Sequence, residues 1–260
     1  MKRHLLSQDR RIQRPLLVMA AVLTVLASTA SADTTVSMQL IGPTGAAPNL
    51  AGVYTDPYTA TVGVAGQTGP TISGVAMQVL CDDFTTDVNI GDFWQAHVTN
   101  MSQLNGTTLQ TQLKFDTSGS ATAASQLQDY MTVAYLAQQI MAINQSTPAG
   151  AYQAEILSFA MWGVFDPTTI DPNGPLSGHW IKNGDLTLAQ ADLAAAQAAV
   201  VGKTGADFSN VSIYTPSPLT ASQEYIVVTP EPGTFGMLAL CLLGLVWGSR
   251  RLTQMAQPAK

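Results

Sequence analysis

The chain carries few positive charges outside its two ends. Between Asp33 and Thr229 there are fifteen acidic residues but only three basic ones, Lys114, Lys182 and Lys203, which gives a formal net charge of −12. Proteins that bind nucleic acid neutralise phosphates with clustered lysine and arginine, and three scattered lysines cannot do so. The composition therefore excludes a nucleic-acid partner, and its acidity favours solubility without specifying a fold.

Cysteine is equally scarce. The sequence contains Cys81 and Cys241, and the second lies in an apolar run near the C-terminus. Cys81 is thus alone in the central part of the chain, where no internal disulfide can form. A hydrophobic core must hold the fold instead, and the roughly 200 residues between 33 and 229 are enough for one domain.

Sequence motifs of common catalytic sites are absent. There is no Gly-x-Ser-x-Gly, no His-Glu-x-x-His and no glycine-rich phosphate loop. His97 and His179 stand beside no nucleophile motif, and between 33 and 229 the only glutamates are Glu155, which we expect to face solvent, and Glu224. We therefore expect no catalytic activity and no cofactor. A carboxylate pair for glycoside hydrolysis, distant in sequence, stays open as an alternative.

An acidic cluster contains Asp82, Asp83, Asp87 and Asp92, together with Asn89. Calcium prefers oxygen ligands of this kind. The spacing, however, lacks the alternate carboxylates, the central glycine and the terminal glutamate of a calcium-binding loop. We therefore expect solvated turn carboxylates and no bound metal.

Hydrophobic periodicity predicts a single α+β domain over residues 33–229. Alternating and β-branched segments between glycine- and proline-rich turns predict strands at 34–41, 53–64 and 71–80, two short strands within 84–99, and a further strand at 107–115. Apolar residues at spacings of three and four predict three helices, at 121–144, 151–165 and 186–201. Closing strands are predicted at 211–214 and 224–228.

The N-terminal segment 1–32 has the three parts of a secretory signal peptide. Basic residues precede an apolar stretch, and Ala30-Ser31-Ala32 offers small residues for cleavage before Asp33. The apolar stretch is short for a membrane span, which disfavours an uncleaved anchor. The sequence thus predicts export with a cleavage site formed by Ala30 and Ala32.

The C-terminal segment combines three features in a fixed order. Pro230, Glu231 and Pro232 precede an uncharged apolar run at 233–248, and a basic pair follows at 250–251. As a helix, the run would span about 24 Å, slightly less than the hydrocarbon core of a bilayer. The basic pair belongs on the cytoplasmic side, so the domain before the run would face outward, with 252–260 as a cytoplasmic tail.

This tail resembles the PEP-CTERM sorting signal over residues 230–251. In that family an exosortase, an integral-membrane cysteine transpeptidase, recognises the signal and cuts near the Pro-Glu-Pro sequence. The resemblance implies an exosortase as the processing partner and membrane attachment before processing. It assigns Pro230, Glu231, Pro232, Arg250 and Arg251 to the signal. An ordinary tail anchor that is never processed is the alternative.

A second, looser resemblance concerns Cys81. Cys81-Asp82-Asp83-Phe84 follows an apolar strand, and Ala160-Met161-Trp162 lies on a predicted helix. Together they resemble the thioester-type domains of bacterial surface adhesins, which join a strand cysteine to a helix glutamine. Ser158 occupies the place of that glutamine, and Gln153 lies on another part of the helix. We therefore interpret Cys81 as a thioester remnant that is a buried free thiol.

Taken together, these patterns predict an exported surface or extracellular-matrix protein with no catalytic activity. The precursor would be anchored in the inner membrane and then reach the cell surface or the extracellular polysaccharide. One alternative is an adhesin or carbohydrate-binding module, in which exposed Trp94, Trp180, Tyr54 and Tyr58 stack on sugars. Another is a secreted hydrolase with a deep pocket lined by Asp or His.

Overall fold

The computed structural model describes residues 34–43, 49–50, 53–55, 57–116, 122–174 and 183–229. Within these ranges the mixed α+β character predicted from the sequence is confirmed. The elements are, in chain order, β1 (Thr34–Pro43), β2 (Asn49–Leu50), β3 (Val53–Tyr54), β4 (Tyr58–Val64), β5 (Val75–Cys81), β6 (Phe93–Asn100), α1 (Ala123–Ala142), α2 (Pro148–Phe165), α3 (Asn183–Ala199), β7 (Val211–Ser217) and β8 (Tyr225–Val228).

Six of these strands form a closed antiparallel barrel in the order β1-β4-β5-β8-β7-β6, with β6 paired back to β1. The strands β2 and β3 pair separately. β8 fits between β5 and β7, since Cys81 pairs with Tyr225 and Val211 pairs with Val228. The barrel therefore closes only when the segment after the helices returns to the strands before them.

Alternation along the strands separates two cores, because successive side chains point to opposite faces. In β8, Tyr225 and Val227 lie in the barrel interior, whereas Ile226 packs outside against the helices. The Trp94 ring stacks on the Tyr225 ring inside the barrel, with ring centroids 5.6 Å apart. Buried interior residues are Met38, Leu40, Ala60, Val79, Cys81, Trp94, Ala96, Tyr214, Tyr225 and Val227.

The three helices lie outside the barrel, and α1 packs on β8. Thr122 caps α1 by accepting a hydrogen bond from the Ser125 backbone N–H at 3.1 Å. α2 begins at Pro148, three residues earlier than predicted, because proline fits the first turn of a helix, where its missing N–H is not needed. α3 likewise begins three residues before its predicted start at 186.

α2 is buried on two sides. Residues that include Leu157 and Met161 belong to the core shared with α1 and the barrel exterior, while Ile156, Phe159 and Trp162 form a separate cluster with residues of α3 and the turn after α2. These last three side chains therefore pack away from the core that α2 shares with α1. Glu155, predicted to face solvent, is also only 7% exposed.

Two strand predictions are wrong. Two short strands are predicted within 84–99, but residues 84–92 form turns. The single strand in this range is β6, which begins at Phe93. Residues 107–115 form turns and a short 3₁₀ helix rather than a strand. Polar side chains bind the local backbone in both segments: Asp92 accepts from the Asn89 N–H at 2.8 Å, and Asn105 accepts from the Thr107 N–H at 2.9 Å. Such bonds compete with strand pairing.

Candidate functional site

Cys81 is the last residue of β5, and its side chain is buried in the barrel interior without a disulfide partner. The thiol donates a hydrogen bond to the carbonyl oxygen of Asp83 at 2.9 Å. Burial raises the pKa of Cys81 well above its usual value, and the nearby charges of Asp83 and Asp82 raise it further. The thiol therefore stays protonated at neutral pH and is a poor nucleophile.

The face of α2 next to Cys81 carries the residues that resemble a thioester motif. The Trp162 indole N–H donates to the carbonyl oxygen of Cys81 at 2.9 Å. Ser158, one turn earlier, has its hydroxyl 2.6 Å from the Thr55 carbonyl oxygen. Gln153 is exposed and donates instead to Asp192 of α3 at 3.2 Å. Ser158, which stands where the glutamine of a thioester motif is expected, thus hydrogen-bonds to the backbone and has no carboxamide that could react with the Cys81 thiol.

Two carboxylates beside Cys81 are fully buried. Asp82 and Asp83 each have 0% exposure, so the prediction of solvated turn carboxylates is wrong for both. Asp87 and Asp92, further along the same loop, are exposed as expected. The difference arises because Asp82 and Asp83 directly follow the buried end of β5, where Trp162 of α2 bonds to Cys81 and Lys114 pairs with Asp83.

Glu224 lies immediately before β8 and is fully buried, and its carboxyl group accepts hydrogen bonds from three other residues. The Tyr130 hydroxyl donates to Oε1 at 2.6 Å, the Lys114 backbone N–H donates to Oε2 at 3.1 Å, and Thr215 Oγ1 also donates to Oε2. Burial raises the pKa of Glu224, although these donors lower it in part. The carboxyl group therefore ties α1, β7 and the segment around Lys114 together.

Lys114 supplies the positive charge of the cluster. Its ammonium group forms an ion pair with Asp83 and donates to Thr86 Oγ1 at 2.6 Å and to the Ser222 carbonyl oxygen at 2.9 Å. In the sequence, Lys114 is distinguished only as one of three lysines between residues 33 and 229. Its position between the apolar Leu113 and Phe115 was the one signal that could have indicated burial.

Asp82 is the unusual member of the cluster. Both of its carboxyl oxygens are buried and have no hydrogen-bond partner among the described residues, and the same holds for the hydroxyl of Ser222. Desolvation raises the pKa of Asp82 well above its usual value, and the charges of Glu224 and Asp83 raise it further. Burial without a hydrogen-bond partner therefore favours the neutral carboxylic acid form of Asp82 over the charged form.

No three acidic, histidine or cysteine side chains in the described part of the chain are placed to share a metal ion. His97 is half-buried on β6, with its Nδ1 3.5 Å from Thr35 Oγ1. His179 lies outside the described residues.

A cavity of about 420 Å³ opens beside this cluster. Its walls include the rings of Tyr58, Phe84 and Trp162 and the polar side chains of Asp87, Asn89 and Gln223. The Phe84 and Trp162 rings contact each other, with centroids 5.1 Å apart. A space of this size with aromatic walls and a few polar groups is typical of a small-ligand site.

The aromatic residues predicted to bind sugar are distributed differently. Trp94 is only 4% exposed and stacks inside the barrel, so its predicted exposure is wrong. Tyr58 does line the cavity. The side chain of Tyr54 and all of Trp180 lie outside the described residues. Phe84 and Trp162, which are not among the rings predicted to bind sugar, are the additional aromatic residues at the cavity.

The two terminal segments fall outside the structural description. The predicted cleavage residues Ala30 and Ala32 and the sorting residues at 230–232 and 250–251 belong to ranges that are not described. None of the described helices is both long and apolar enough to cross a bilayer. These predictions therefore depend on sequence alone.

Comparison with known proteins identifies one region. Residues 228–251 match the family model of the PEP-CTERM protein-sorting motif, which confirms the resemblance seen in the tail. No curated protein and no solved structure matches the chain. The motif indicates a sorting signal directed to an exosortase and implies an exported protein. The chain is thus a protein that carries a PEP-CTERM sorting motif over residues 228–251.

Proposed function

We propose that this chain is a surface or extracellular-matrix protein without catalytic activity of its own, held in the inner membrane by its C-terminal segment and then processed by an exosortase. In this proposal, segment 1–32 directs export and the α+β domain is the part delivered. After processing, the domain reaches the cell surface or the extracellular polysaccharide.

The observation that carries the proposal is the position of the motif relative to the fold. The matched motif begins at Val228, which is the last residue of β8. Thr229 still bonds to the barrel, because its backbone N–H donates to the Asn210 carbonyl oxygen at 2.8 Å. A cut near 230–232 would therefore fall just beyond the barrel and leave all its strands intact.

Fractionation of cells that express the full chain tests this function. Replacing Pro230, Glu231 and Pro232 with alanine should make the unprocessed precursor accumulate in the inner membrane, because the exosortase no longer recognises it. Pro258→Ala, which removes a proline outside the motif, should be processed like the unmodified chain. Unchanged processing of the triple variant would contradict the proposal.

The cavity favours a second candidate function, the binding of a neutral sugar. The apolar face of a sugar ring packs on aromatic side chains, while its hydroxyl groups bond to amide and carboxylate groups. Tyr58, Phe84 and Trp162 offer such rings, and Asn89 and Gln223 offer amides. Among the described lining residues Asp87 is the carboxylate, whereas glycoside hydrolysis uses a pair, so we propose binding rather than cleavage.

A glycan array on the full chain, followed by calorimetric titration of the best neutral glycan, tests this second function. Phe84→Ala should weaken binding by about tenfold, or about 1.4 kcal/mol. Phe93→Ala removes an exposed ring, 44% accessible, that is not part of the cavity wall, and should leave affinity unchanged. Equal losses in both variants, or no glycan bound by the unmodified chain, would exclude the cavity as a sugar site.

A further inference from the structure

The buried ion pair of Lys114 and Asp83 occupies an unusual environment. The side chain of Lys114 is 11% exposed and that of Asp83 is 0% exposed, and the ammonium nitrogen touches Asp83 Oδ2. The Asp83 Oδ1 atom is fixed as well, because it accepts from the Thr85 backbone N–H at 2.8 Å. An amine and a carboxyl group, the two groups that an amide bond joins, are thus held in contact and largely shielded from water.

Electrostatics alone gives this arrangement little benefit. Removing an ammonium and a carboxylate from water costs several kcal/mol per ion, and their mutual attraction often does no more than offset that cost. Two further buried carboxyl groups belong to neighbouring residues: Asp82 adjoins Asp83 in the chain, and Glu224 accepts a hydrogen bond from the Lys114 backbone N–H. Conversion of the pair into a neutral group would remove both buried charges at once.

We propose that Lys114 and Asp83 join in an intramolecular isopeptide bond. The neutral amine of Lys114 attacks Cγ of Asp83 after its proton has passed to the Asp83 carboxylate, and a C–N bond forms while a C–O bond breaks. The net change converts one ammonium and one carboxylate into one amide and one water molecule. No oxidant, metal or other reactant is required.

The protons of this step are exchanged within the pair itself. Lys114 Nζ touches Asp83 Oδ2, so the ammonium proton passes to Oδ2, and this oxygen leaves as water with a second proton that the nitrogen releases. Asp83 Oδ1 remains as the amide oxygen and keeps its hydrogen bond from the Thr85 backbone N–H. The carboxyl oxygens of Glu224 are occupied by Tyr130, Thr215 and the Lys114 backbone.

The Ser222 carbonyl oxygen suits the product as well as the reactants. It lies 2.9 Å from Lys114 Nζ and can accept a hydrogen bond from the amide N–H that remains. The bond would join the loop after β5 to the 3₁₀ helix at Lys114–Asp116, which precedes α1. It would thereby supply a covalent link in a domain where Cys81 has no disulfide partner.

Peptide mapping of the full chain, purified from cells and denatured, tests the bond directly. Chymotrypsin cuts after Phe84 and Phe93, so the peptides that contain Asp83 and Lys114 should separate unless they are joined. We expect a two-chain peptide whose mass is about 18 Da below the sum of its parts, the mass of water. A thioester would instead lose about 17 Da, the mass of ammonia, and would be released by hydroxylamine.

Digestion with trypsin tests the same bond at Lys114. It cannot cut after a Lys114 whose side chain is an amide, so recovery of most of the protein as peptides ending at Lys114 would overturn the proposal. Lys114→Arg keeps the positive charge but cannot form the bond, and it should yield only separate chymotryptic peptides. A cross-link that persists in this variant would show that another residue is joined.

Discussion

Asp82 and Glu224 show how burial changes the chemistry of a side chain. Both are acidic residues, yet both lie in a region with almost no solvent, and each has its pKa raised mainly by desolvation. Glu224 compensates with hydrogen bonds from Tyr130, Thr215 and Lys114, whereas Asp82 has none for its carboxyl oxygens. At a buried position of this kind, the neutral form of Asp82 has a lower free energy than the charged form.

The raised pKa of Asp82 predicts that the protein is more stable in mild acid than at alkaline pH. An unfolded aspartate releases its proton near pH 4, whereas the folded protein keeps it, so the free energy of unfolding falls as pH rises above about 4 toward the folded pKa. We expect the melting temperature, measured by circular dichroism, to be lower at about pH 8 than at about pH 5.

Asp82→Asn is the matched variant for this pH dependence. It removes the titrating group, so the fall in melting temperature between the two pH values should shrink, with the remainder due to Glu224. A melting temperature of the unmodified protein that rises with pH would contradict the prediction, because it would mean that the unfolded state binds more protons.

Tyr130→Phe should destabilise the domain through Glu224. The change leaves Glu224 Oε1 without the hydroxyl that donates to it at 2.6 Å, at a position where both side chains have 0% exposure. We expect a loss of about 1–3 kcal/mol in the free energy of unfolding, measured by urea titration. Tyr135→Phe, on the half-buried side of the same helix, is the control and should change it by less than about 0.5 kcal/mol.

Among the helices and strands, α1 could be predicted closely, because its apolar spacing and its Thr122 cap are local signals. The two-sided burial of α2 could not, since its sequence is apolar around most of its circumference and does not favour one face. Residues 84–92 form turns, although the spacing of Phe84, Val88 and Ile90 suggests the alternation of a strand. Their apolar side chains instead line the cavity.

The β4–β5 hairpin depends on close backbone approach at two glycines. A Cβ atom on Gly63 would lie 2.2 Å from the Ser73 carbonyl oxygen, and one on Gly74 would lie 2.1 Å from the Val62 carbonyl oxygen. No backbone atom can approach a Cβ so closely, so side chains at these positions would push the strands apart. This requirement is a property of the pairing and is invisible in the local sequence.

Gly74→Ala should therefore destabilise the protein by about 1–3 kcal/mol, because the strands must shift to admit the methyl group. Gly184→Ala is the matched control: a Cβ there meets no atom within 4 Å, and the residue lies in the first turn of α3. It should be neutral or stabilise by about 0.4–1 kcal/mol. Equal urea midpoints for the two variants would show that the hairpin tolerates the methyl group.

Closure of the barrel links folding to sorting. β8 is only four residues long, but it pairs with β5 on one side and β7 on the other. Its outward side chains pack on the core shared with the helices, and Tyr225 fills the barrel interior. The last strand before the sorting motif is therefore essential to the whole domain.

Truncation tests this dependence. A chain that ends at Thr229 should keep the cooperative unfolding of the full chain, whereas one that ends at Gln223 should not fold, because it lacks β8 and Glu224 and leaves the edges of β5 and β7 unpaired. Circular dichroism and thermal unfolding of the two truncated chains are the measurement. A folded chain ending at Gln223 would show that closure is dispensable.

The sequence alone determined the sorting signal and the order of the helices and strands. The sorting motif is a contiguous pattern of prolines, apolar residues and arginines, and the helices are indicated by the spacing of their apolar residues and by their capping residues. Only the tertiary structure decided that Asp82, Asp83 and Glu224 are buried and that Lys114 bonds to both Asp83 and Glu224. Those residues are separated by up to 142 positions in the chain, and the burial that raises the pKa values of Asp82 and Glu224 arises only when β8 closes the sheet.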